Sequence, residues 1–269
     1  MQKAVLALFA LCLAGCATIP GNPDPRDPWE RFNRSSYAFN DRLDRAIAKP
    51  VAKGYRKVTP RVVRTGVSNF FSNLGSLTTI ANDVLQGKLR QAGRDSGRFL
   101  LNSTLGLGGL FDPASAAGIE RGNEDFGQTL GKWGVKSGPY LMLPILGPTT
   151  VRDGLGRIPD QFTDPVMYLE DDSTRYIING IAFVDLRAGL LDLDAQIERS
   201  YDKYAFVRNA WLQRREFLVK DGNVDDQSLE LEEGMEEEPA EAPAEAPTEE
   251  PVPPPATETP PPTTPPGTP

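Results

Sequence analysis

The stretch Asp27-Pro28-Trp29-Glu30-Arg31-Phe32-Asn33-Arg34 has the composition of a helix start, and the chain beyond it keeps a helical pattern. Asp27 is a typical N-cap residue, Pro28 suits the first helical turn, and Glu30 is placed to close a capping box. One apolar stripe follows at mostly helical spacing, with Trp29, Phe32, Phe39, Leu43 and Ile47. The stretch therefore predicts an amphipathic helix that ends at Lys49-Pro50.

The rest of the body is a series of helical patterns that Gly and Pro interrupt. The predicted helices cover residues 50–58, 60–74, 77–86, 89–105, a short segment after Phe126, 149–155, 166–169, 175–198 and 204–220. Gly75 and Gly87 are expected to end helices, and Asp172 or Ser173 is expected to cap the long one. No segment shows convincing alternation with a period of two, so we predict a mainly α fold without an extended sheet.

The N-terminus has the pattern of a bacterial lipoprotein signal. Lys3 precedes an apolar run from Ala4 to Ala14, which is too short to span a bilayer. The run ends in Leu13-Ala14-Gly15-Cys16, where signal peptidase would cut before Cys16 and leave that residue to carry the acyl chains. An ordinary secretory peptide that happens to end in Cys is the less favoured alternative. Ala17 follows the cysteine where Asp would indicate the inner membrane, which favours a lipid anchor in the outer membrane.

Composition excludes several classes of enzyme. The chain has no histidine and two cysteines, of which Cys12 leaves with the signal peptide and Cys16 is acylated. The mature chain therefore has no disulfide, no Ser-His-Asp triad, no Cys-His dyad and no zinc site of the usual kind. The adjacent carboxylates Glu124-Asp125 and Asp171-Asp172 leave a carboxylate hydrolase open, although helix caps and ion pairs are the favoured explanation. We expect no catalytic residue, metal or cofactor.

Charge and proline content separate a folded body from a tail. The net charge of −8 combines 28 bases and 23 acids over residues 16–220 with fourteen acids and no base from Asp221 onward. Residues 222–269 hold 13 of the 25 prolines, so the tail is expected to be disordered. It is either a spacer into the periplasm or a dispensable extension. We predict a signal peptide over 1–15, a lipidated linker over 16–26, a helical domain over 27–220 and an acidic Pro-rich tail over 221–269.

Two features of the body point to lipid. Its excess of basic residues suits contact with a surface of anionic lipid headgroups. The basic residues between Lys49 and Arg64 could contact phosphates of lipid or of nucleic acid. The predicted compartment argues against nucleic acid. Large apolar faces recur on short helices, as at Phe70-Phe71, yet no segment after the signal peptide reaches the ~20 apolar residues of a spanning helix. These faces fit either an ordinary core or helices lying in one leaflet, and periodicity does not separate the two.

The strongest candidate for a functional segment is the loop from Gly138 to Pro148. Its side chains are almost all apolar or aromatic, and its prolines forbid a continuous helix. An apolar loop exposed on the surface would indicate a binding or membrane contact. The alternative is that the loop is buried and crosses the interior of the fold. The candidate residues in it are Gly138, Pro139, Tyr140, Leu141, Leu143, Pro144, Gly147 and Pro148.

Several long motifs occur in one order along the body: Asp27–Arg34, Phe39-Asn40-Asp41, Lys49–Ala52, Val67–Leu74, Leu85–Lys88, Arg98–Gly106, Glu124–Gly131, Trp133-Gly134-Val135, Gly138-Pro139-Tyr140, Leu143-Pro144, Gly147-Pro148 and Arg152-Asp153. Together they resemble the MlaA lipoproteins, also called VacJ. The resemblance is dense from Asp27 to Gly154 and looser to Lys220, and the Pro/Glu-rich tail is not part of it.

The resemblance implies a ring of short helices around a central polar channel, embedded in one leaflet of the outer membrane on its periplasmic side. Such proteins associate with trimeric porins, take phospholipids that have strayed into the outer leaflet and pass them to a periplasmic shuttle protein. Lipid asymmetry is preserved, and no chemical bond is made or broken. In this family context Gly138 to Pro148 is expected to be a mobile hairpin near the channel, and Asn33, Asn40 and Asp41 are candidate polar groups of the ring.

A second functional class stays open at the level of sequence. A structural lipoprotein could use the acidic, Pro-rich tail to bridge from the outer membrane toward the cell wall. The sequence shows no recognisable peptidoglycan-binding motif that would support this alternative.

Overall fold

The computed structural model describes residues 24–223. The predicted signal peptide, the acylation site Cys16 and the acidic tail from residue 224 onward lie outside the described residues. Within the described part the chain is mainly helical, as predicted.

Ten α-helices and one hairpin follow one another along the described chain. The helices are α1 (Glu30–Leu43), α2 (Lys49–Val58), α3 (Arg61–Leu85), α4 (Leu89–Thr104), α5 (Pro113–Ala116), α6 (Phe126–Lys132), α7 (Val151–Gln161), α8 (Asp172–Gly189), α9 (Asp194–Arg199) and α10 (Lys203–Val219). A π-helical turn covers Asp44–Ala48, and 3-10 turns cover Pro165–Tyr168 and Leu190–Asp192. The strands are β1 (Tyr140–Leu143) and β2 (Gly147–Thr150).

The predicted helix end at Lys49-Pro50 is wrong, because the backbone stays helical from α1 into α2. Pro50 has no N–H and would disturb a regular helix by leaving a carbonyl one turn earlier without its donor. The π turn Asp44–Ala48 precedes the proline and shifts the hydrogen bonding, so that the Lys49 N–H donates to the carbonyl of Asp44. The extra residue in that turn lets the helix continue past the proline.

The predicted break at Gly75 is also wrong, since α3 runs without interruption over 25 residues. A glycine inside a helix costs only about 1 kcal/mol relative to alanine, which tertiary contacts can offset. Asn73 and Asn82 supply such contacts on either side of the glycine. The amide of Asn73 donates to Ser103 Oγ at 2.9 Å, and that of Asn82 donates to Asp160 Oδ1 at 2.9 Å.

The long helix predicted over 175–198 is shorter and starts earlier than expected. Asp171, rather than Asp172 or Ser173, caps α8 by accepting a 2.7 Å hydrogen bond from the Thr174 N–H. The helix ends at Gly189, and a 3-10 turn separates it from α9. Asp27 likewise does not cap α1 with its carboxylate, which is buried and binds side chains of other elements.

The interior of the described chain is polar and much of its exterior is apolar. Of the buried side chains within residues 24–223, eighteen are polar or charged and eight are apolar or aromatic, the reverse of an ordinary core. Large apolar side chains are instead exposed, including Val62 at 78% and Leu105 at 72%. The apolar faces noted in the sequence therefore do not form a common core.

No helix among residues 24–223 combines the length and the apolar composition that crossing a membrane requires.

Candidate functional site

The loop Gly138–Pro148 forms an antiparallel hairpin in which Tyr140 faces Thr150 and Leu143 faces Gly147. Its strands are only four residues each, consistent with the expectation of no extended sheet. The turn between them consists of Pro144, Ile145 and Leu146, and all three side chains are exposed.

Within residues 24–223 no strand lies beside the outer edge of β1. The Arg26 carbonyl accepts from the Tyr140 N–H at 2.8 Å, and side chains of helix α1 supply further hydrogen bonds along this edge. The amide of Asn33 donates to the carbonyl of Tyr140 at 3.1 Å, and its Oδ1 accepts from the N–H of Met142 at 2.8 Å. One side-chain amide thus pairs with β1 as the backbone of a neighbouring strand would. This contact stabilises a strand edge that would otherwise carry unpaired backbone groups.

Asn40 repeats this pairing seven residues later along α1. Its Nδ2 donates to the carbonyl of Leu143 at 2.9 Å, and its Oδ1 accepts from the N–H of Ile145 at 2.7 Å. Two helical turns separate Asn33 from Asn40, so both amides lie on the face of α1 that meets the hairpin. The helix therefore holds the hairpin from the middle of β1 to the turn.

The three polar candidates of α1 divide into two groups. Asn33 and Asn40 contact the hairpin, which joins the two sets of candidate residues found separately in the sequence. Asp41 forms an ion pair with Arg45, one helical turn further along.

A buried polar cluster holds the beginning of β1. The carboxylate of Asp27 accepts hydrogen bonds from Asn33 Nδ2 at 2.7 Å, from the hydroxyl of Tyr204, and from Arg208 Nη1 at 3.1 Å. Burial and the Asp27 carboxylate both raise the pKa of the Tyr204 hydroxyl, which therefore stays a hydrogen-bond donor at neutral pH. Tyr140 packs edge-on against Tyr204, with ring centroids 6.3 Å apart. The cluster joins α1, β1 and α10.

A second buried network holds the far end of the hairpin. Thr150 ends β2 and caps α7, accepting a 3.2 Å hydrogen bond from the Asp153 N–H. Arg215 of α10 pairs with Asp153 at 2.9 Å and with Asp125 at 2.5 Å. Although burial opposes its ionisation, the Arg215 guanidinium lowers the pKa of Asp125 below its usual value. Both ends of the hairpin are therefore attached to α10, while the turn contacts α1.

The candidate residues of the hairpin differ in their surroundings. Tyr140 is fully buried, whereas Pro144 is exposed and Leu141, Leu143 and Pro148 are intermediate. Gly138 and Gly147 have φ angles of +70° and +77°, which explains glycine at both positions. The candidate residue not yet placed is Pro139, which is partly buried and accepts a hydrogen bond from the Val151 N–H at 3.2 Å.

Two residues of the turn, Ile145 and Leu146, were not among the candidates predicted from the sequence. Ile145 and Leu146 are 68% and 66% exposed, so the tip of the hairpin is apolar. Ile145 also has a φ angle of +68°, in the left-handed region that a β-branched residue rarely adopts. The sequence carries no signal for this conformation, because glycine or asparagine is the usual residue there.

A cavity of about 410 Å³ lies between α3, α7 and α8. Its lining has an apolar part and a charged part, and comprises Phe71, Leu74, Gly75, Thr78, Arg157, Asp160, Gln161, Asp164, Val166, Asn179 and Ala182. Arg157 also reaches the hairpin, where its Nη2 donates to the carbonyl of Pro148 at 3.2 Å. The hairpin and the cavity therefore share one side chain.

The two carboxylates of the cavity already have hydrogen-bond donors. Asp160 accepts from Asn82 at 2.9 Å and from the Phe126 N–H at 3.0 Å, and burial raises its pKa above the usual value. Asp164 accepts from the Val166 N–H at 2.9 Å. The cavity thus offers a guanidinium, two hydrogen-bonded carboxylates and apolar walls, a combination that suits an amphipathic ligand.

A buried pair of carboxyl groups joins α3 and α4. Asp83 is completely buried, and neither of its carboxyl oxygens has a hydrogen-bond donor in the described part of the chain. Burial, followed by the nearby carboxyl of Asp95, raises the pKa of Asp83 to about 7. Asp83 and Asp95 can therefore share a proton near neutral pH.

Among residues 24–223, no group of three or more His, Cys, Asp or Glu side chains is placed to hold a metal ion. The adjacent acids Glu124-Asp125 act in ion pairs instead, with Lys88 at 2.9 Å and Arg215 at 2.5 Å.

The chain matches a described family over most of its length. A family model described as MlaA lipoprotein matches residues 25–218. A relative from Escherichia coli K12, named intermembrane phospholipid transport system lipoprotein MlaA, is 37% identical over 234 residues, which cover 84% of this chain and 92% of the relative. A relative of the same name from Haemophilus influenzae is 32% identical over 227 residues, which cover 81% and 90%.

A solved structure shares this fold. It is described as the structural basis for maintenance of bacterial outer membrane lipid asymmetry, and it is 39% identical with a TM-score of 0.63. The likeness covers 72% of this chain and 98% of that one. The family match at residues 25–218 spans the elements that build the hairpin and the cavity.

Proposed function

Because the chain belongs to the MlaA lipoprotein family, we propose that it removes mislocalised phospholipids from the outer leaflet of the outer membrane and thereby maintains lipid asymmetry. It passes them through a polar channel within the helical body to a periplasmic carrier protein. Acylated Cys16 anchors the chain on the periplasmic side, and a trimeric porin is its membrane partner. The name of the Escherichia coli relative and the description of the solved structure support the phospholipid substrate.

The observation that carries this proposal is the distribution of polar and apolar side chains. Charged and amide side chains occupy the interior of the described chain, while exposed apolar residues cover α7 and α8. The large apolar residues exposed on these two helices are Val151, Leu155, Ile158, Tyr176, Ile177, Ile181, Phe183 and Leu186. Such a surface is unfavourable in water and favourable in a leaflet. No helix in the described range is suited to crossing the membrane, so a position within one leaflet fits best.

A polar passage lowers the main barrier to lipid transfer. An unpaired polar group that enters hydrocarbon costs several kcal/mol, and a charged one costs more. Charged side chains such as those of Arg157 and Asp164 offset this cost for a headgroup, while the acyl chains stay against apolar surface. Which lipids are selected then depends on the leaflet from which they can enter the passage. No covalent bond has to be broken.

The hairpin is the element that we propose to govern passage. It borders the cavity through Arg157, and its exposed turn is apolar. Gly138 and Gly147, both at positive φ, are candidate hinges. Asn33 and Asn40 set the position from which the hairpin moves.

Complementation tests the proposed function. The full chain is expressed in a Gram-negative host that lacks its own MlaA, and surface phospholipid and detergent sensitivity are measured. The unchanged chain is expected to restore both, and Cys16→Ala is expected to fail. If the chain reaches the outer membrane at normal levels without restoring either property, the proposal is wrong.

Two substitutions test the role of the hairpin in the same host. Leu143→Asp places a charge beside the turn, and Pro144→Gly loosens it, so both are expected to alter outer-leaflet phospholipid. Leu193→Asp, the same exchange at an exposed leucine outside the hairpin and the cavity, serves as the control. Unchanged surface phospholipid in both hairpin variants, at normal protein levels, would refute the gating role.

Further experiments separate this proposal from its competitors. Deletion from Gly222 onward tests the structural lipoprotein, because a full envelope defect from that deletion would assign the function to the tail. Labelled phospholipid tests the hydrolase, because transport leaves the lipid intact and hydrolysis does not.

A further inference from the structure

Arg157 is exposed, and it differs in what it binds from three buried or half-buried arginines. Arg187, Arg208 and Arg215 each form ion pairs with two carboxylates. The Arg157 guanidinium has only neutral acceptors, the carbonyls of Pro148 at 3.2 Å and Leu146 at 3.5 Å. Among residues 24–223, no carboxylate lies within ion-pair distance of it.

The surroundings of Arg157 explain why this charge stays available. It lines the cavity on α7, three residues before Asp160 and seven before Asp164. Those two carboxylates are held by Asn82, by the Phe126 N–H and by the Val166 N–H. The cavity therefore holds one guanidinium without an anionic partner, next to apolar walls formed by Phe71, Leu74 and others.

We infer that Arg157 binds the phosphate group of a phospholipid in this cavity and, on binding it, releases the carbonyls of the hairpin. This inference rests on the proposed function and names the side chain that recognises the transported lipid. A guanidinium binds phosphate through two parallel charge-assisted hydrogen bonds, which are roughly twice as strong as neutral ones. Phosphate oxygens therefore replace the long contacts to Pro148 and Leu146.

The exchange couples the lipid to the hairpin. Pro148 faces Met142 across the hairpin, and Leu146 lies in its turn, so both contacts restrain the part of the hairpin nearest the tip. When Arg157 turns to phosphate, the turn keeps its contacts with Asn40 and loses those on the cavity side. A bound headgroup thus loosens the element proposed to govern passage.

Binding of labelled lipid to the purified full-length lipoprotein, in a detergent without phosphate, tests the inference. The probe is phosphatidylethanolamine labelled on one acyl chain, and diacylglycerol with the same labelled chain is the comparison without phosphate. Arg157→Gln is expected to weaken binding of the phospholipid by roughly 10- to 100-fold, the range for a lost charge-assisted hydrogen bond, and to leave diacylglycerol unchanged. Arg157→Lys retains the positive charge but lacks the two parallel N–H donors of the guanidinium, so an intermediate loss of phospholipid binding is expected.

Arg90→Gln is the matched control, because Arg90 is an exposed arginine of α4 that does not line the cavity. Equal phospholipid binding by Arg157→Gln and the unchanged chain would overturn the inference and leave the proposed function standing. No phospholipid binding by the unchanged chain, together with failed complementation, would overturn the proposed function itself.

Inorganic phosphate separates a lipid site from a site for free phosphate. It is expected to compete with the labelled phospholipid only weakly, because it gains nothing from the apolar walls. Competition as strong as that of unlabelled phospholipid, abolished by Arg157→Gln, would assign the site to free phosphate and overturn the lipid assignment.

Hydrogen exchange provides a second readout for the coupling. Addition of phosphatidylethanolamine is expected to speed amide exchange at Leu146 and Gly147 in the unchanged chain and not in Arg157→Gln. Equal exchange with and without bound lipid would refute the release of the hairpin.

Discussion

Asn40 of α1 accepts a 2.7 Å hydrogen bond from the backbone N–H of Ile145, which lies at the hairpin turn with a φ angle of +68°. A β-branched residue in this region costs on the order of 1–3 kcal/mol. The same Asn40 amide donates to the carbonyl of Leu143, so it fixes the backbone on both sides of Pro144. A helix side chain thus holds a strained turn in place.

Asn40→Ala is expected to loosen the turn without unfolding the helical body. Two hydrogen bonds of about 0.5–1.5 kcal/mol each are lost, so the amides of Ile145 and Leu146 should exchange roughly 10-fold faster. Hydrogen exchange on the purified lipoprotein measures this change. Asp41→Asn is the control, since Asp41 pairs with Arg45 rather than with the hairpin. Equal protection of the turn in Asn40→Ala and the unchanged chain would show that the amide does not hold it.

Ile145→Gly is expected to relieve the strain at the turn. Glycine adopts positive φ without steric cost, so the substitution should stabilise the closed hairpin by about 1 kcal/mol. Combined with Asn40→Ala, it should restore part of the lost protection at Leu146. Faster exchange in the single Ile145→Gly variant would contradict this account, and circular dichroism checks that the helices are unchanged.

Gly156→Ala is expected to destabilise the protein, whereas Gly154→Ala on the same helix is not. A Cβ on Gly156 would lie 2.5 Å from the backbone N of Gly127, where α7 crosses α6. Backbone atoms cannot move aside easily, so we expect a loss of about 1–3 kcal/mol in the free energy of unfolding.

A Cβ on Gly154 meets only the side chain of Thr149, with Oγ1 at 3.5 Å and Cγ2 at 3.6 Å, which are ordinary contacts. Alanine also favours a helix interior by about 1 kcal/mol over glycine, so Gly154→Ala should be neutral or stabilising. Thermal unfolding of the two variants in one detergent measures the difference. A larger loss of unfolding free energy in Gly154→Ala than in Gly156→Ala would show that close packing where α6 crosses α7 does not limit the side chain at this position.

Asp83→Asn is expected to stabilise the protein most at alkaline pH. Burial and the carboxyl of Asp95 raise the pKa of Asp83 to about 7, so the folded chain binds a proton that the unfolded chain has released. Stability is therefore highest below the unfolded pKa of 3.8 and is lost as the pH rises through about 7. The neutral amide removes this loss, with a gain of about 2–4 kcal/mol at pH 8 that shrinks toward pH 4.

Asp112→Asn is a control of opposite sign for this pH dependence. Although burial opposes its ionisation, hydrogen bonds from Ser115 and Asn102 and the charge of Arg98 lower the pKa of Asp112 to about 2. Its stabilisation is present above pH 3.8 and is lost as the pH falls through about 2, so Asp112→Asn should destabilise the protein at neutral pH. Unfolding midpoints from pH 2 to 8 cover both transitions and test both variants. An Asp83→Asn gain that grows toward acid pH would contradict the assignment.

Part of this site was predictable from the sequence, because it depends on local pattern. The apolar spacing after Trp29 indicated a helical fold, and the prolines and glycines from Gly138 to Pro148 indicated a segment that is not helical. The helix ends predicted at Pro50 and Gly75 were wrong. A π turn accommodates Pro50, and the contacts of Asn73 and Asn82 offset the cost of Gly75 inside its helix. Propensity is a weak prior when tertiary contacts oppose it.

The sequence by itself determined the helical class, the lipoprotein signal, the absence of histidine chemistry and the family resemblance. Only the tertiary structure showed that Asn40 pairs with a turn 105 residues away. It also showed that Arg157 lies between the hairpin and a cavity, with no carboxylate partner in the described part of the chain. The physical reason is that helix patterns and caps arise between residues a few positions apart. Hydrogen-bond partners and available charges, by contrast, depend on which distant segments the folded chain brings within about 3 Å of one another.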